Sequence, residues 1–304
     1  MRVAAIDIGT NTVLMLIADV DRINSLRVIR DEHAIARLGE GVDESKLIAP
    51  KAVERALTIL ERHQKVADRE KVERIVACGT SAFRDADNRD EVVELVRERV
   101  GINVEVISGE EEAELTYAGA VSAFIAADKQ EEFLVLDIGG GSTELTYGKS
   151  LSVTSRVSLD VGCVRLTERV LRTAPPSIEA LHAAQSLIRG LVSQIEKQPT
   201  AQMIGVAGTL TTLAALNLNL KYFDPEKVGG HVLSLGKVKQ LFQEFSRMTV
   251  DEIAAFPQVL PGRTDVLLAG IMILVEVMET LGVDEITVSE RGLSYGLAMR
   301  EVSS

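Results

Sequence analysis

The sequence predicts an α/β protein built from two similar halves. Apolar runs of strand length alternate with longer amphipathic stretches along the chain, the pattern of mixed sheets flanked by helices. The segment VAAIDIGTNT near the start also returns as LVLDIGGGST, aligning without gaps on Asp7 and Asp137, 130 residues apart. A repeat of this length seen twice suggests duplicated domains facing each other across a cleft, not a solenoid. A chain of 304 residues agrees with two domains.

In the first half, strands are expected at Val3–Gly9, Thr12–Val20 and Leu26–Asp31, a hairpin opening a mixed sheet. Pro50–Ala67 carries Val53, Leu57, Leu60 and Val66 at helical spacing, with charges between. A strand at Arg74–Cys78, a helix at Arg89–Val100 stopped by Gly101, a strand at Val104–Ile107 and a helix at Glu110–Ala127 follow. The pattern then restarts with strands at Phe133–Ile138, Ser142–Tyr147 and Val153–Leu159, and helices at Val164–Leu171 and Ile178–Lys197. Met203–Ala207 reads as a strand, Thr209–Leu216 as a helix start, and Leu235–Phe245, Val250–Phe256 and Thr264–Leu281 as helices. Glu285–Val288 is the last strand and Leu293–Val302 a closing helix. The boundary falls near residues 121–130. This gives domain I over residues 1–124 and domain II over 125–296, with the closing helix 297–304 packing back on the first.

The net charge of −12 argues against nucleic-acid or anionic-membrane binding through a general basic surface. An anionic ligand would need local positive potential from backbone N–H groups, helix N-termini, a few Arg or Lys and a divalent cation. Cys78 and Cys163 sit far apart in apolar contexts, as buried thiols of a reducing cytosol do. The start lacks the apolar core of a signal peptide, and Val266–Val277, broken by Gly270 and Glu276, is too short to span a bilayer. A cytoplasmic protein is expected. The four histidines show no metal-ligand spacing, and His63 and His182 read as helix-surface residues.

The chemistry concentrates in Gly-rich loops. Asp7-Ile8-Gly9-Thr10-Asn11-Thr12 follows a strand, and its backbone N–H groups and hydroxyls suit an anion. Asp137-Ile138-Gly139-Gly140-Gly141-Ser142-Thr143 repeats the design. Either loop alone reads as an ordinary hairpin turn; two matched copies read as phosphate binding. Asp7 and Asp137 each end a buried strand, where a carboxylate needs a partner such as a divalent metal or serves as an Asx cap. Asp137 is the stronger metal candidate. Ser108-Gly109-Glu110-Glu111-Glu112-Ala113 begins a helix that Ser108 can cap, and one of its three carboxylates could serve as a general base. Arg84, in Cys78-Gly79-Thr80-Ser81-Ala82-Phe83-Arg84, could reach an oxyanion or pair with Asp85 or Asp87. Gly208 and Thr209 follow another strand at a helix N-terminus, which favours an anion.

Together these segments resemble the exopolyphosphatase / guanosine pentaphosphate phosphohydrolase (Ppx/GppA) family of the actin-like ATPase superfamily. The resemblance rests on DIGTNTVLMLI, GTSAFRDA, SGEEEAELTYAG, LDIGGGSTEL, GCVRLTE and VAGTLTTL, and covers essentially the whole chain. It implies two ribonuclease H-like domains with an interdomain cleft. It implies Glu112 as the base that activates water and Asp137 as the acidic residue linked to metal and catalysis; Asp7 stays a metal candidate on the reading of the loops alone. Thr10, Asn11, Thr12, Gly139, Gly140, Gly141, Ser142 and Thr143 match the phosphate loops; Arg84, Gly208 and Thr209 match further phosphate-side groups. The implied cofactor is Mg²⁺, with K⁺ as a candidate activator. The implied substrate is inorganic polyphosphate or pppGpp, and the implied assembly a homodimer.

Two departures stand out. Longer members carry a C-terminal HD-type helical domain, so this chain reads as a short form. Ser294 and Tyr295 stand where the family commonly has Arg and Glu. A superfamily kinase and a non-catalytic polyphosphate or pppGpp sensor are the competing readings, and the SGEEE run favours water as acceptor over a kinase.

Overall fold

The computed structural model describes residues 1–22, 25–125, 131–195 and 201–301. The chain divides into two compact units, Met1–Ser122 with Gly292–Ser304, and Ala123–Arg291.

The first unit opens with β1 (Arg2–Ile8), β2 (Thr12–Arg22) and β3 (Ser25–Ile35), all antiparallel neighbours. α1 (Val42–Ser45) and α2 (Pro50–Arg69) lead to β4 (Arg74–Gly79), parallel to β1. α3 (Ser81–Asp85) and α4 (Arg89–Val100) lead to β5 (Val104–Val106), parallel to β4, and then to α5 (Gly109–Val121). The sheet order is β3-β2-β1-β4-β5, the ribonuclease H-like arrangement.

Because strand side chains alternate, β1 feeds two separate apolar layers. Ala4, Ile6 and Ile8 join Leu57, Leu60 and Val96 of α2 and α4. Val3 and Ala5 point the other way, into a layer with Leu16, Cys78, Tyr295 and Leu297. Asp7 continues this second row, so the strand itself delivers a carboxylate to the end of an apolar face. α2 buries Ala56, Leu60, His63 and Ala67 as one stripe. His63 is therefore core and not surface: it lies three residues after Leu60 and four before Ala67, the spacing of one helix face. His182 is exposed, as expected.

The second unit repeats the plan. β6 (Glu132–Ile138), β7 (Thr143–Lys149) and β8 (Ser152–Leu159) are antiparallel neighbours. α6 (Cys163–Arg169) and α7 (Ile178–Val192) precede β9 (Gln202–Val206), which is parallel to β6. α8 (Ala207–Asn217) and α9 (Pro225–Val228) lead to β10 (Val232–Ser234). α10 (Leu235–Phe245), α11 (Val250–Ala254) and α12 (Leu267–Leu281) lead to β11 (Glu285–Val288), parallel to β9. The order is β10-β11-β9-β6-β7-β8, so the same five-stranded core recurs with β10 added at one edge. α12 is buried along nearly its whole length, including Glu276, which Arg189 and Gln185 of α7 satisfy at 2.5 and 3.1 Å. That pair explains a carboxylate on the buried stretch of the helix.

α13 (Leu293–Arg300) closes the chain by returning to the first unit, where it packs on α5. Contact is close enough to require glycine: a Cβ on Gly119 would lie 2.1 Å from the Gly292 carbonyl, and one on Gly296 would lie 1.9 Å from that of Leu115. Ser294 and Tyr295 are buried on this helix, and Tyr295 joins the second apolar layer.

Most elements match the sequence reading within a few residues. The stretch Gly79–Arg84, read as a loop, instead contains α3, while α1, α9 and β10 have no expected counterpart. α5 ends at Val121, short of Ala127, and α12 begins at Leu267 after a turn over residues 264–266. Residues 126–130 of the expected boundary, the helix end at Lys197 and Val302 of the closing helix lie outside the described residues.

Candidate active site

In the first unit, three charged groups converge from three elements. Asp7 lies at the C-terminal end of β1, Arg84 in the last turn of α3 and Glu112 in the first turn of α5. Ser108 caps α5, its Oγ accepting from the Glu111 N–H at 3.1 Å. This cap sets the helix start, and Glu112 then falls on the buried side at 9% exposure. Arg84 Nη1 donates to Glu112 Oε2 at 2.6 Å and to the Ile107 carbonyl at 3.2 Å. The alternative pairing of Arg84 with Asp85 or Asp87 is not its arrangement here.

Burial and mutual charge perturb this cluster. Burial raises Glu112 above its ordinary carboxylate value, and the charge and hydrogen bond of Arg84 oppose that rise. Burial, reinforced by the field of Glu112, pushes Asp7 from 3.8 to about 8. Asp7 Oδ1 is buried without a hydrogen-bond partner. An orphaned buried carboxylate oxygen is costly, and a hard cation or a donated proton relieves it.

The two Asp-Ile-Gly loops have the same internal geometry. Gly9 N–H donates to the Thr12 carbonyl at 2.9 Å, and Gly139 N–H to that of Ser142 at 3.0 Å. In each case a Cβ on the glycine would crowd that same carbonyl at 3.0 Å. Thr10 and Asn11 are nearly buried, and their carbonyls accept from Gly39 and from Ala36 and Arg37. In the second unit the carbonyls of Gly139 and Gly140 take the first N–H groups of α6, from Cys163, Val164 and Arg165. The loop is thereby braced on a helix N-terminus. Thr143 is fully buried, and its hydroxyl donates to the Val161 carbonyl at 2.5 Å, so this side chain holds the loop and has no hydrogen left for a ligand.

Two residues escaped the sequence reading. Glu144, buried at 2%, sits directly across the β6–β7 pair from Asp137, so both carboxylates share one sheet face. Its Oε1 accepts from Ser158 Oγ at 2.8 Å. The signal was present: Glu144 is a charged residue inside DIGGGSTEL, in a strand buried from Thr143 to Gly148. The equivalent cross-strand partner of Asp7 is Leu14. The other residue is Arg263. Its guanidinium fills the space that a side chain at Gly208 would occupy, next to Thr209 at the start of α8. No local pattern marks it, because only tertiary packing brings it there. Ala207, which opens α8, has a left-handed φ of 68°, a strained backbone of the kind that collects at binding sites.

Among the described residues no group of three or more His, Cys, Asp or Glu is arranged to hold a metal. Within the first unit the orphaned Asp7 oxygen, and separately within the second the Asp137–Glu144 pair, each fits the needs of Mg²⁺, which takes one or two carboxylates and keeps several waters. No described helix is long and apolar enough to cross a membrane.

Comparison with known proteins places this architecture. The Ppx/GppA phosphatase family model matches residues 16–304, and the chain belongs to that family. It is 35% identical to exopolyphosphatase 2 of Mycobacterium tuberculosis over 98% of both chains. Among solved structures, the Ppx/GppA family member of Aquifex aeolicus superimposes with a TM-score of 0.83 at 36% identity, covering 100% of this chain and 98% of the other. An exopolyphosphatase from Cytophaga hutchinsonii superimposes with a TM-score of 0.90 at 27% identity, covering 100% and 98%.

Proposed function

We propose that the protein is an exopolyphosphatase that hydrolyses the terminal phosphate of inorganic polyphosphate, with Glu112 as general base. The observation that carries this reading is the buried Glu112 carboxylate, held by Arg84 and made more basic by its surroundings. A deprotonated carboxylate so placed can take a proton from an attacking water.

Glu112 takes a proton from water as the water oxygen bonds to the terminal phosphorus. The anhydride P–O bond breaks, releasing inorganic phosphate and a chain one unit shorter. Thr10, Asn11 and Thr12 present backbone N–H groups and polar side chains to phosphate in the first unit. Gly139, Gly140, Gly141 and Ser142 do so in the second, where Arg263 adds positive charge at Gly208 and Thr209. Asp7 in the first unit, or Asp137 with Glu144 in the second, would hold Mg²⁺, which when bound would neutralise phosphate charge. Fixed charges and oriented donors supply most of the rate in phosphoryl transfer. A cytoplasmic location and a homodimer belong to the same proposal, and sedimentation of the purified protein tests the second.

Phosphate release with Mg²⁺, comparing long-chain polyphosphate, tripolyphosphate and pppGpp, tests the reading. Fastest release from long-chain polyphosphate is expected. Fastest release from pppGpp would replace it with a pppGpp phosphohydrolase. Tight binding without release would mark a sensor, and ATP-dependent phosphorylation of an acceptor a kinase.

A further inference from the structure

We infer that Arg300, on the closing helix, is a positioning residue for the reaction: it fixes the first turn of α5 and so the placement of Glu112. This rests on Glu112 being the base, as proposed above. Arg300 Nη1 donates to Glu111 Oε1 at 2.7 Å, and Nη2 to Glu105 Oε2 at 2.9 Å. One planar guanidinium therefore ties α13 at once to β5 and to the helix turn that carries Glu112. The two-carboxylate fork fixes direction as well as distance.

The turn is gripped from two sides. Arg84 holds Glu112 from α3, and Arg300 holds the adjacent Glu111 from α13. The Arg300 and Glu111 side chains are 30% and 37% exposed, so the pair contributes little to global stability. Its effect is geometric. α13 already lies against α5 at glycine-only separation through Gly119 and Gly296. Arg300 converts that contact into a fixed rotation of the α5 start. General-base catalysis is sensitive to such placement, since a 1 Å error can cost about 100-fold.

The test compares Arg300→Gln, Arg300→Lys, Glu111→Gln and the Arg300→Gln/Glu111→Gln double variant in polyphosphate hydrolysis. Amide hydrogen exchange over Glu111–Ala113 is measured alongside. Arg300→Gln and Glu111→Gln should each lower kcat about 10-fold with KM nearly unchanged, and the double variant should fall no further. Arg300→Lys should recover part of the rate. Exchange in the turn should accelerate about 10-fold in Arg300→Gln. Unchanged kcat in Arg300→Gln, additive losses in the double variant, or loss confined to KM would overturn the inference. Should Glu112→Gln retain the wild-type rate, the base assignment itself fails and the role of Arg300 in the reaction falls with it; a wild-type-like turn in Arg300→Gln, with the base assignment intact, refutes positioning by itself.

Discussion

Arg84 donates to Glu112 Oε2 at 2.6 Å and to the Ile107 carbonyl at 3.2 Å, so one guanidinium fixes both the carboxylate and the chain leading into its helix. The same contact sets how readily Glu112 holds a proton. Burial raises its pKa, and Arg84 is the group that pulls it back.

Removing that charge should therefore be visible in the pH–rate profile. A general base acts when deprotonated, so a higher pKa delays activity to higher pH. Arg84→Gln should shift the acidic limb of kcat/KM upward in pH, and Arg84→Lys should shift it less. An acidic limb that stays in place, or moves downward, contradicts the assignment.

Gly119 tests how α13 is docked. A Cβ there would meet the Gly292 carbonyl at 2.1 Å and the Gly296 nitrogen at 2.9 Å, both backbone atoms that cannot swing away. Gly119→Ala should cost about 1–3 kcal/mol, the usual range for overpacking. Thermal melting of the purified variant measures it. An unchanged melting temperature would mean that the two helices separate freely.

Much of this was legible in the chain. The repeated Asp-Ile-Gly loops foretold two copies of one sheet, because a strand followed by a tight glycine turn is a local signal. The α5 start was legible for the same reason, since Ser108 and three glutamates mark a capped N-terminus. What escaped depends on tertiary contact. α3 is five residues long without a side-chain cap, so nothing local separates it from a loop. Glu144 sits in TELTYG, whose alternation resembles a strand with one wet face, whereas the structure buries both faces. Arg263 meets Gly208 only through the fold. His63 was misjudged because a single polar residue interrupts its stripe, and charge pattern outweighed spacing.

His63 makes its own pH prediction. Both ring nitrogens are buried without hydrogen-bond partners. Burial above all lowers its pKa from 6.5 to about 4; Glu32 opposes this and Arg62 assists it. The unfolded chain therefore takes the proton first. Its contribution to stability is complete above pH 6.5 and is lost as pH falls from 6.5 through 4, by up to about 3 kcal/mol. His63→Leu should flatten that acid dependence in denaturant titrations at pH 7, 6, 5 and 4. An equally steep loss in the variant would assign the acid sensitivity to other groups.

The base assignment of Glu112 is tested most directly by phosphate release from polyphosphate by Glu112→Gln, with substrate binding measured in parallel. The variant is isosteric and keeps an oxygen for Arg84 to donate to. It should bind polyphosphate as the wild type does and lose about 10²–10⁴-fold in kcat. Turnover near the wild-type rate would contradict the account and remove Glu112 from the role of base.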